Sequence, residues 1–185
     1  MSICFITSNK FKFEEAEEIL GERGIKVEWI KKKYNEIQAE STGEAGLEEV
    51  VKHALSALRR KDAFIDDAGL FIHALNGFPG PYSSYVQKTL GNQRILKLMK
   101  GVEDRRAKFI CIVGYKGKEE ARMFKGEVPG TIAAEERGTS GFGYDPIFIP
   151  QNYTKTFAED KDLKNRISHR RKALEKLAIY LNKNG

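Results

Sequence analysis

An α/β fold is predicted, on three observations. Short apolar runs of strand length, at residues 3–6, 27–30 and 63–65, alternate with stretches whose apolar residues recur at the helical spacing. Their order makes strand–helix–strand units. The 185 residues, 41% of them hydrophobic, are enough to bury a sizeable core unaided.

The first strand is Ile3-Cys4-Phe5-Ile6, and Phe13, Ala16, Ile19 and Leu20 give the helix that follows, stopped by Gly21 and Gly24. Between them lie Thr7, Ser8, Asn9, Lys10 and Lys12. Backbone N–H groups and the positive end of a helix dipole suit phosphate there, and a lysine adds a full charge. The spacing lacks the glycines of a Walker A loop, and Thr, Ser and Asn also cap helices for structural reasons alone. Val27 to Ile30 forms a second strand, and Lys31, Lys32 and Lys33 read as a solvated face. A loop carrying Glu36, Gln38 and Glu40 leads to Ser41, which with Glu44 fits a capping box. The helix it opens places Leu47, Val50, Val51, Ala54 and Leu58 on one face.

The next run, Ala63-Phe64-Ile65, ends in Asp66 and Asp67, followed by Ala68 and Gly69. A buried strand delivering two carboxylates to a sheet edge or cleft is one reading; an Asp-Gly turn is the other. Successive strand residues face opposite sides, so one aspartate is expected as ligand or base and its neighbour as support. After Pro81 a helical pattern breaks near Gly91 and resumes through Ile95, Leu98 and Met99. Residues 107–115 form a long strand that turns at Lys116-Gly117-Lys118 into residues 122–126, a hairpin that extends the sheet. The glycine-rich stretch 138–143 presents Phe142, Tyr144 and Asp145, and aromatic rings on such a loop suit stacking against a planar ring. Lys164, Ser168, His169 and Arg170 gather ahead of a last helix whose core face is Ala173, Leu174, Leu177 and Leu181. Ser168 reads as its N-cap. Cations at a helix N-terminus oppose the dipole, so His169 and Arg170 call for an anion or a carbonyl-bearing ligand.

The formal charge of +6 favours an anionic partner, and a nucleotide and a nucleic acid both qualify. Cys4 and Cys111 sit in apolar runs as small buried hydrophobes, which argues against a disulfide framework or a metal site. His53 and His73 are isolated and receive no role. No apolar run approaches the roughly 20 residues of a membrane span, and the first residues lack the features of a signal peptide. The expectation is a cytoplasmic protein of one domain, residues 1–185, with no repeat or linker.

Five motifs in this order, Thr7-x-Asn9-x-x-Lys12, Asp66-Asp67-x-Gly69-Leu70, Gly77-x-Pro79-Gly80-x-Tyr82-Ser83, Phe142-Gly143-Tyr144-Asp145-Pro146 and Ser168-His169-Arg170, resemble the inosine triphosphate pyrophosphatase family, also called Ham1-like. The resemblance runs from the first strand to the last helix. It implies hydrolysis of ITP, dITP and XTP to the monophosphate and pyrophosphate, by water attack at the α-phosphate. It also implies a homodimer, magnesium or manganese as cofactor, and an elongated, twisted mixed sheet with flanking helices and two lobes around a nucleotide cleft. By the same resemblance Thr7, Ser8, Asn9 and Lys12 bind phosphate, and Lys12 acts in catalysis with Asp67. Asp67 and Glu40 hold the metal, with Glu36 or Glu44 as alternatives to Glu40, and the choice of base between Asp66 and Asp67 stays open. Phe142, Gly143, Tyr144 and Asp145 form a base-pocket loop, Lys164 binds phosphate, and Ser168, His169 and Arg170 recognise the base. Ser84 departs from the pattern, standing where many members carry Arg or Lys.

The chemistry fits these residues. Hypoxanthine and xanthine carry a 6-keto oxygen where adenine carries an amino group. A donor such as Arg170 aimed there would face adenine unpaired, and such sites discriminate by roughly 10⁴-fold. Rejection of guanine must come from its 2-amino side. The rival readings are a Maf-like nucleotide pyrophosphatase and, in another class, a basic nucleic-acid-binding module. On the pyrophosphatase reading neither a stable nucleic-acid partner nor a membrane is expected.

Overall fold

A computed structural model of the chain describes residues 1–32 and 39–184. Lys33, Glu36 and Gln38 lie outside the described residues. The elements run β1 (Ser2–Ile6), α1 (Lys10–Gly21), β2 (Lys26–Ile30), α2 (Gly43–Ala57), β3 (Ala63–Ile72), α3 (Ser83–Thr89), α4 (Gly91–Leu98), β4 (Arg106–Lys116), β5 (Ala121–Ile132), β6 (Phe148–Pro150), α5 (Lys161–Ile167) and α6 (His169–Asn184). The strands form one mixed sheet in the order β2-β1-β3-β4-β5-β6. β1 is parallel to β2 and β3, and the remaining pairs are antiparallel. This is the α/β fold with flanking helices that the sequence predicts.

Three apolar clusters hold helices to the sheet. Phe5 and Phe64, stacked at 4.3 Å, pack with Leu20 of α1 and Leu174 and Leu177 of α6. Ile65 and Ile112 point the other way, against Leu47 and Val51 of α2. Farther along β3 and β4, Leu70, Ile72 and Phe109 meet Ile95, Phe148 and Phe157. The period of two along β3 therefore decides which helix each residue meets.

One pairing detail creates the cleft. β1 pairs with β3 only at Cys4–Ala63 and Phe5–Phe64, while β3 runs on against β4 through Ile72. Past Phe64 the β1 side of β3 therefore opens. Backbone groups there still need partners, and side chains supply them. Lys12 Nζ donates to the Asp66 carbonyl at 3.2 Å, Asp67 Oδ1 accepts from Ala68 N at 2.9 Å, and Ser83 Oγ accepts from Leu70 N at 2.9 Å.

Several expectations are corrected. Asp66 and Asp67 lie inside a strand of ten residues, so the turn reading fails. The Ser41–Glu44 capping box does not form. Thr42 is the N-cap of α2, Glu49 accepts from the backbone N–H groups of Glu40 and Ser41, and Glu44 is held by Lys108 and Lys125. β5 continues beyond Gly126, which the sequence reads as its end. Gly126 is instead the point where α6 lies against the strand, since a Cβ there would sit 2.0 Å from the His169 carbonyl oxygen. A short helix, α5, precedes α6, capped by Asp160 through Leu163 N at 2.9 Å.

Candidate active site

A cleft of about 300 Å³, in the range of small-molecule sites, opens along the freed edge of β3. The β1–α1 junction, Asp67, α3, the loop around Phe142 and the start of α6 line it. Of the residues singled out from sequence, Thr7, Ser8, Asn9, Lys12 and Asp67 meet there with Phe142 through Asp145, Lys164, His169 and Arg170. Glu40 and Ser168 are not among the lining residues. Ser168 is buried between α5 and α6, and its Oγ accepts from Arg171 N at 3.2 Å, so the N-cap expectation holds.

At the β1–α1 junction the side chains take much of the hydrogen-bonding capacity expected for phosphate. Asn9 Oδ1 accepts from Phe11 N at 3.0 Å and Lys12 N at 3.4 Å, and Thr7 Oγ1 accepts from Asn9 N at 3.1 Å. Lys10 turns outward to Glu14. The positive group that this junction brings to the cleft is Lys12, whose Nζ lies 3.2 Å from Asp66 Oδ1 and 3.8 Å from Asp67 Oδ1. Burial works against its charge, yet the two aspartates hold its pKa above the ordinary lysine value.

From Lys12 a chain of alternating charge runs through the interior. Asp66 Oδ2 accepts from Arg170 Nε at 2.7 Å, and Arg170 reaches Glu15 Oε2 at 2.5 Å through its terminal nitrogen. Glu15 Oε1 meets Lys164 Nζ at 2.6 Å, and Lys164 meets Asp145 Oδ2 at 2.8 Å. Burial alone would raise the Asp66 carboxyl, but Lys12 and Arg170 outweigh it and hold the pKa below the ordinary carboxylate range. Arg170 and Lys164 do the same for Glu15. For Asp145 burial prevails and the pKa is raised. Arg170 thus finds its anions, Asp66 and Glu15, within the protein, which for this residue corrects the expectation that a ligand must supply one.

Glu15 is the residue that sequence reading missed. It lies three positions after Lys12 and four before Ile19, on the buried side of α1, and a carboxylate at such a position signals a buried cation opposite it.

Around this chain the aromatic walls are fixed. Lys164 Nζ sits 4.3 Å from the Phe142 ring centre, and Phe11 stacks on Phe142 with centroids 5.6 Å apart. Asp145 accepts from Phe142 N at 2.8 Å, and only glycine fits at Gly141, where φ is +77° and a Cβ would lie 2.3 Å from Asp145 Oδ2. Tyr144 turns inward, its hydroxyl donating to the Ser83 carbonyl at 2.9 Å. His169 stacks on Phe109 at 4.5 Å, and its buried Nδ1 has no hydrogen-bond partner among the described residues. Burial, then Arg170 and Lys164, push its imidazole well below the ordinary value of 6.5, so it is neutral near pH 7.

Asp66 and Asp67 differ in exposure as the pleat requires. The Asp66 side chain is 1% exposed and committed to ion pairs; that of Asp67 is 15% exposed at the cleft. Among the described residues no group of three or more His, Cys, Asp or Glu side chains could cage a metal. A single cleft carboxylate suits only a magnesium-type ion that takes most of its ligands from phosphate and water. Glu44, the alternative to Glu40, is consumed by its two lysines, whose hydrogen bonds lower its pKa.

A sequence model of the Ham1 family matches residues 3–180. A dITP/XTP pyrophosphatase of Thermococcus kodakarensis is 47% identical, with 100% of this chain and 99% of that protein covered. The protein of the same description from Pyrococcus horikoshii is 49% identical over 100% and 98%. In structure, the Staphylococcus aureus Ham1 protein is similar with a TM-score of 0.78 at 31% identity, covering 98% of this chain and 100% of that one. With the family match running from β1 into α6, and near-half identity to relatives across their whole length, this chain belongs to the Ham1 family.

Proposed function

We propose that this protein hydrolyses non-canonical purine nucleoside triphosphates, dITP, ITP and XTP, to the monophosphate and pyrophosphate. The observation that carries the reading is the buried charge chain. It fixes Arg170 and Lys164 beside the Phe142 ring and sets Lys12, on the other oxygen of Asp66, next to Asp67. A purine stacked near Phe142 meets donors that suit a 6-keto oxygen and leave a 6-amino group unpaired. Lys164, expected to bind phosphate, is read instead as a base-side donor because Asp145, Glu15 and Phe142 surround it.

Beside Lys12, Asp67 orients the attacking water and takes its proton. The new bond forms at the α-phosphorus, the bond to the bridging oxygen breaks, and pyrophosphate leaves with the electron pair. Lys12 fixes the Asp67 carboxylate and offsets charge as the oxygens develop it. Asp67, with Glu40 as the second candidate, is the residue that would hold magnesium or manganese, which would supply neutralisation of phosphate charge when bound. Membership of the Ham1 family favours this reading over a Maf-like one. The cations of the charge chain are ion-paired and buried, which favours it over a nucleic-acid-binding surface.

We also read the chain as one domain of two lobes that works as a cytoplasmic homodimer. One sheet contributing to all three apolar clusters supports the first part, and family resemblance the second. No helix among the described residues is long and apolar enough to cross a membrane.

The test is pyrophosphate release from dITP, XTP, GTP and ATP, with magnesium or with EDTA. Wild type is expected to cleave dITP and XTP, to stop in EDTA, and to lose about 10²–10⁴-fold in rate on Asp67→Asn. A wild type that releases pyrophosphate from none of the four overturns the reading.

A further inference from the structure

We propose that Lys88 is a substrate-binding residue that engages the β- and γ-phosphates, the part of the substrate that leaves as pyrophosphate. The inference rests on the triphosphatase reading and adds to it the residue that anchors the leaving group.

Charge in the cleft is the first reason. Lys12, Arg170 and Lys164 all line it, but they are engaged by four carboxylates, those of Asp66, Asp67, Glu15 and Asp145. Three cations facing four carboxylates leave no surplus for a triphosphate, which carries about four negative charges near neutral pH. Beyond what a bound metal would neutralise, the cations left to meet the distal phosphates are the other lysines that line the cleft, Lys32 and Lys88. Neither has a hydrogen bond or ion pair with any described residue, and of the two it is Lys88 that stands on a helix docked against the site.

Placement is the second reason. Ser84, Gln87 and Lys88 are spaced i, i+3, i+4 on α3, so they share one face, and all three line the cleft. That face is held rigidly against the site. Gln87 Nε2 donates to the Gly143 carbonyl at 2.7 Å, Tyr144 donates to the Ser83 carbonyl at 2.9 Å, and Ser83 Oγ donates to the Gly80 carbonyl at 2.7 Å. A lysine in the last turn of a helix also complements the C-terminal carbonyls. That role alone would leave phosphate affinity untouched, which is what the experiment reads.

The measurement combines XTP hydrolysis with calorimetric binding of pyrophosphate and of XMP, in magnesium, for wild type, Lys88→Ala, Lys88→Glu and Lys88→Arg. Lys88 is exposed, so the variants keep the fold. Lys88→Ala is expected to raise KM and weaken pyrophosphate binding by about 5–10-fold, Lys88→Glu by more, with Lys88→Arg close to wild type. XMP, which carries only the α-phosphate, should bind all four alike. Salt should narrow the gap between wild type and Lys88→Ala, because an exposed charge is screened. Equal pyrophosphate binding by wild type and Lys88→Glu overturns the proposal, and so does a loss shared equally by XMP. A wild type without hydrolysis would overturn the enzymatic reading; Lys88-dependent pyrophosphate binding in that same protein would still uphold the anion site.

Discussion

Two adjacent aspartates of identical chemistry end up with different tasks because a strand turns alternate side chains to opposite faces. Asp66 faces α1 and α6 and holds Lys12 and Arg170; Asp67 faces the cleft. Asp66→Asn should therefore cost about 3–5 kcal/mol in urea denaturation, the penalty of a buried charge stripped of its partner. Asp67→Asn, at the cleft, should cost under about 1 kcal/mol while lowering turnover by about 10²–10⁴-fold. Acid should expose these residues in sequence. His169 has a folded-state pKa well below its ordinary 6.5, so its contribution to stability is complete above pH 6.5 and is lost as pH falls below it. The slope should reach at most about 1.4 kcal/mol per pH unit and diminish in His169→Gln. The depressed carboxyls of Glu15 and Asp66 act lower: their contribution is full above their ordinary values of 4.5 and 3.8 and declines as pH falls through the lowered ones. Unfolding free energies of wild type and His169→Gln across pH 5–8 check the first; an acid titration below pH 5 checks the second.

At the scale of elements, the start of α6 carries both His169 and Arg170, and the missing side chain of Gly126 sets its distance from the sheet. A Cβ there would lie 2.0 Å from His169 O and 2.5 Å from Ala173 N, so backbone must move. Gly126→Ala should destabilise by about 1–3 kcal/mol or more and raise KM for XTP, because the helix that shifts holds the base-side donor Arg170. Gly114→Ala is the control. Its Cβ would meet Val51 Cγ1 at 2.9 Å, under α2 and away from the cleft, so stability should fall with KM unchanged. If KM responds equally to both, the docking of α6 is not what positions the site.

The whole molecule is tied together by β3 and β4, which pair without a break from Ala63–Lys116 to Ile72–Ala107. Each apolar cluster takes residues from both strands: Phe64 and Cys111 in one, Ile65 and Ile112 in another, Leu70 and Phe109 in the third. No cluster can be lost without stripping that central pair, so unfolding should be one cooperative transition. Trp29, stacked on Phe13 in the part of the sheet beyond β1, reports one end of the molecule, and far-UV circular dichroism reports the whole. Their denaturant midpoints should coincide; separated midpoints would mean that the two ends fold independently.

The features legible before folding were local or carried by motifs. Strand and helix periods, the cap at Ser168, the burial of Cys4 and Cys111, and the family were all legible, because each depends on residues a few positions apart or on short patterns in order. Tertiary structure decided which charges meet. The Ser41–Glu44 cap gave way to distant lysines on β4 and β5, Glu15 found Arg170 155 positions away, and Asp66 found it across 104. A buried charge settles wherever an opposite charge can offset its lost hydration. Only the folded sheet, by parting β1 from β3 after Phe64 and laying α6 on Gly126, determines which charges are within reach.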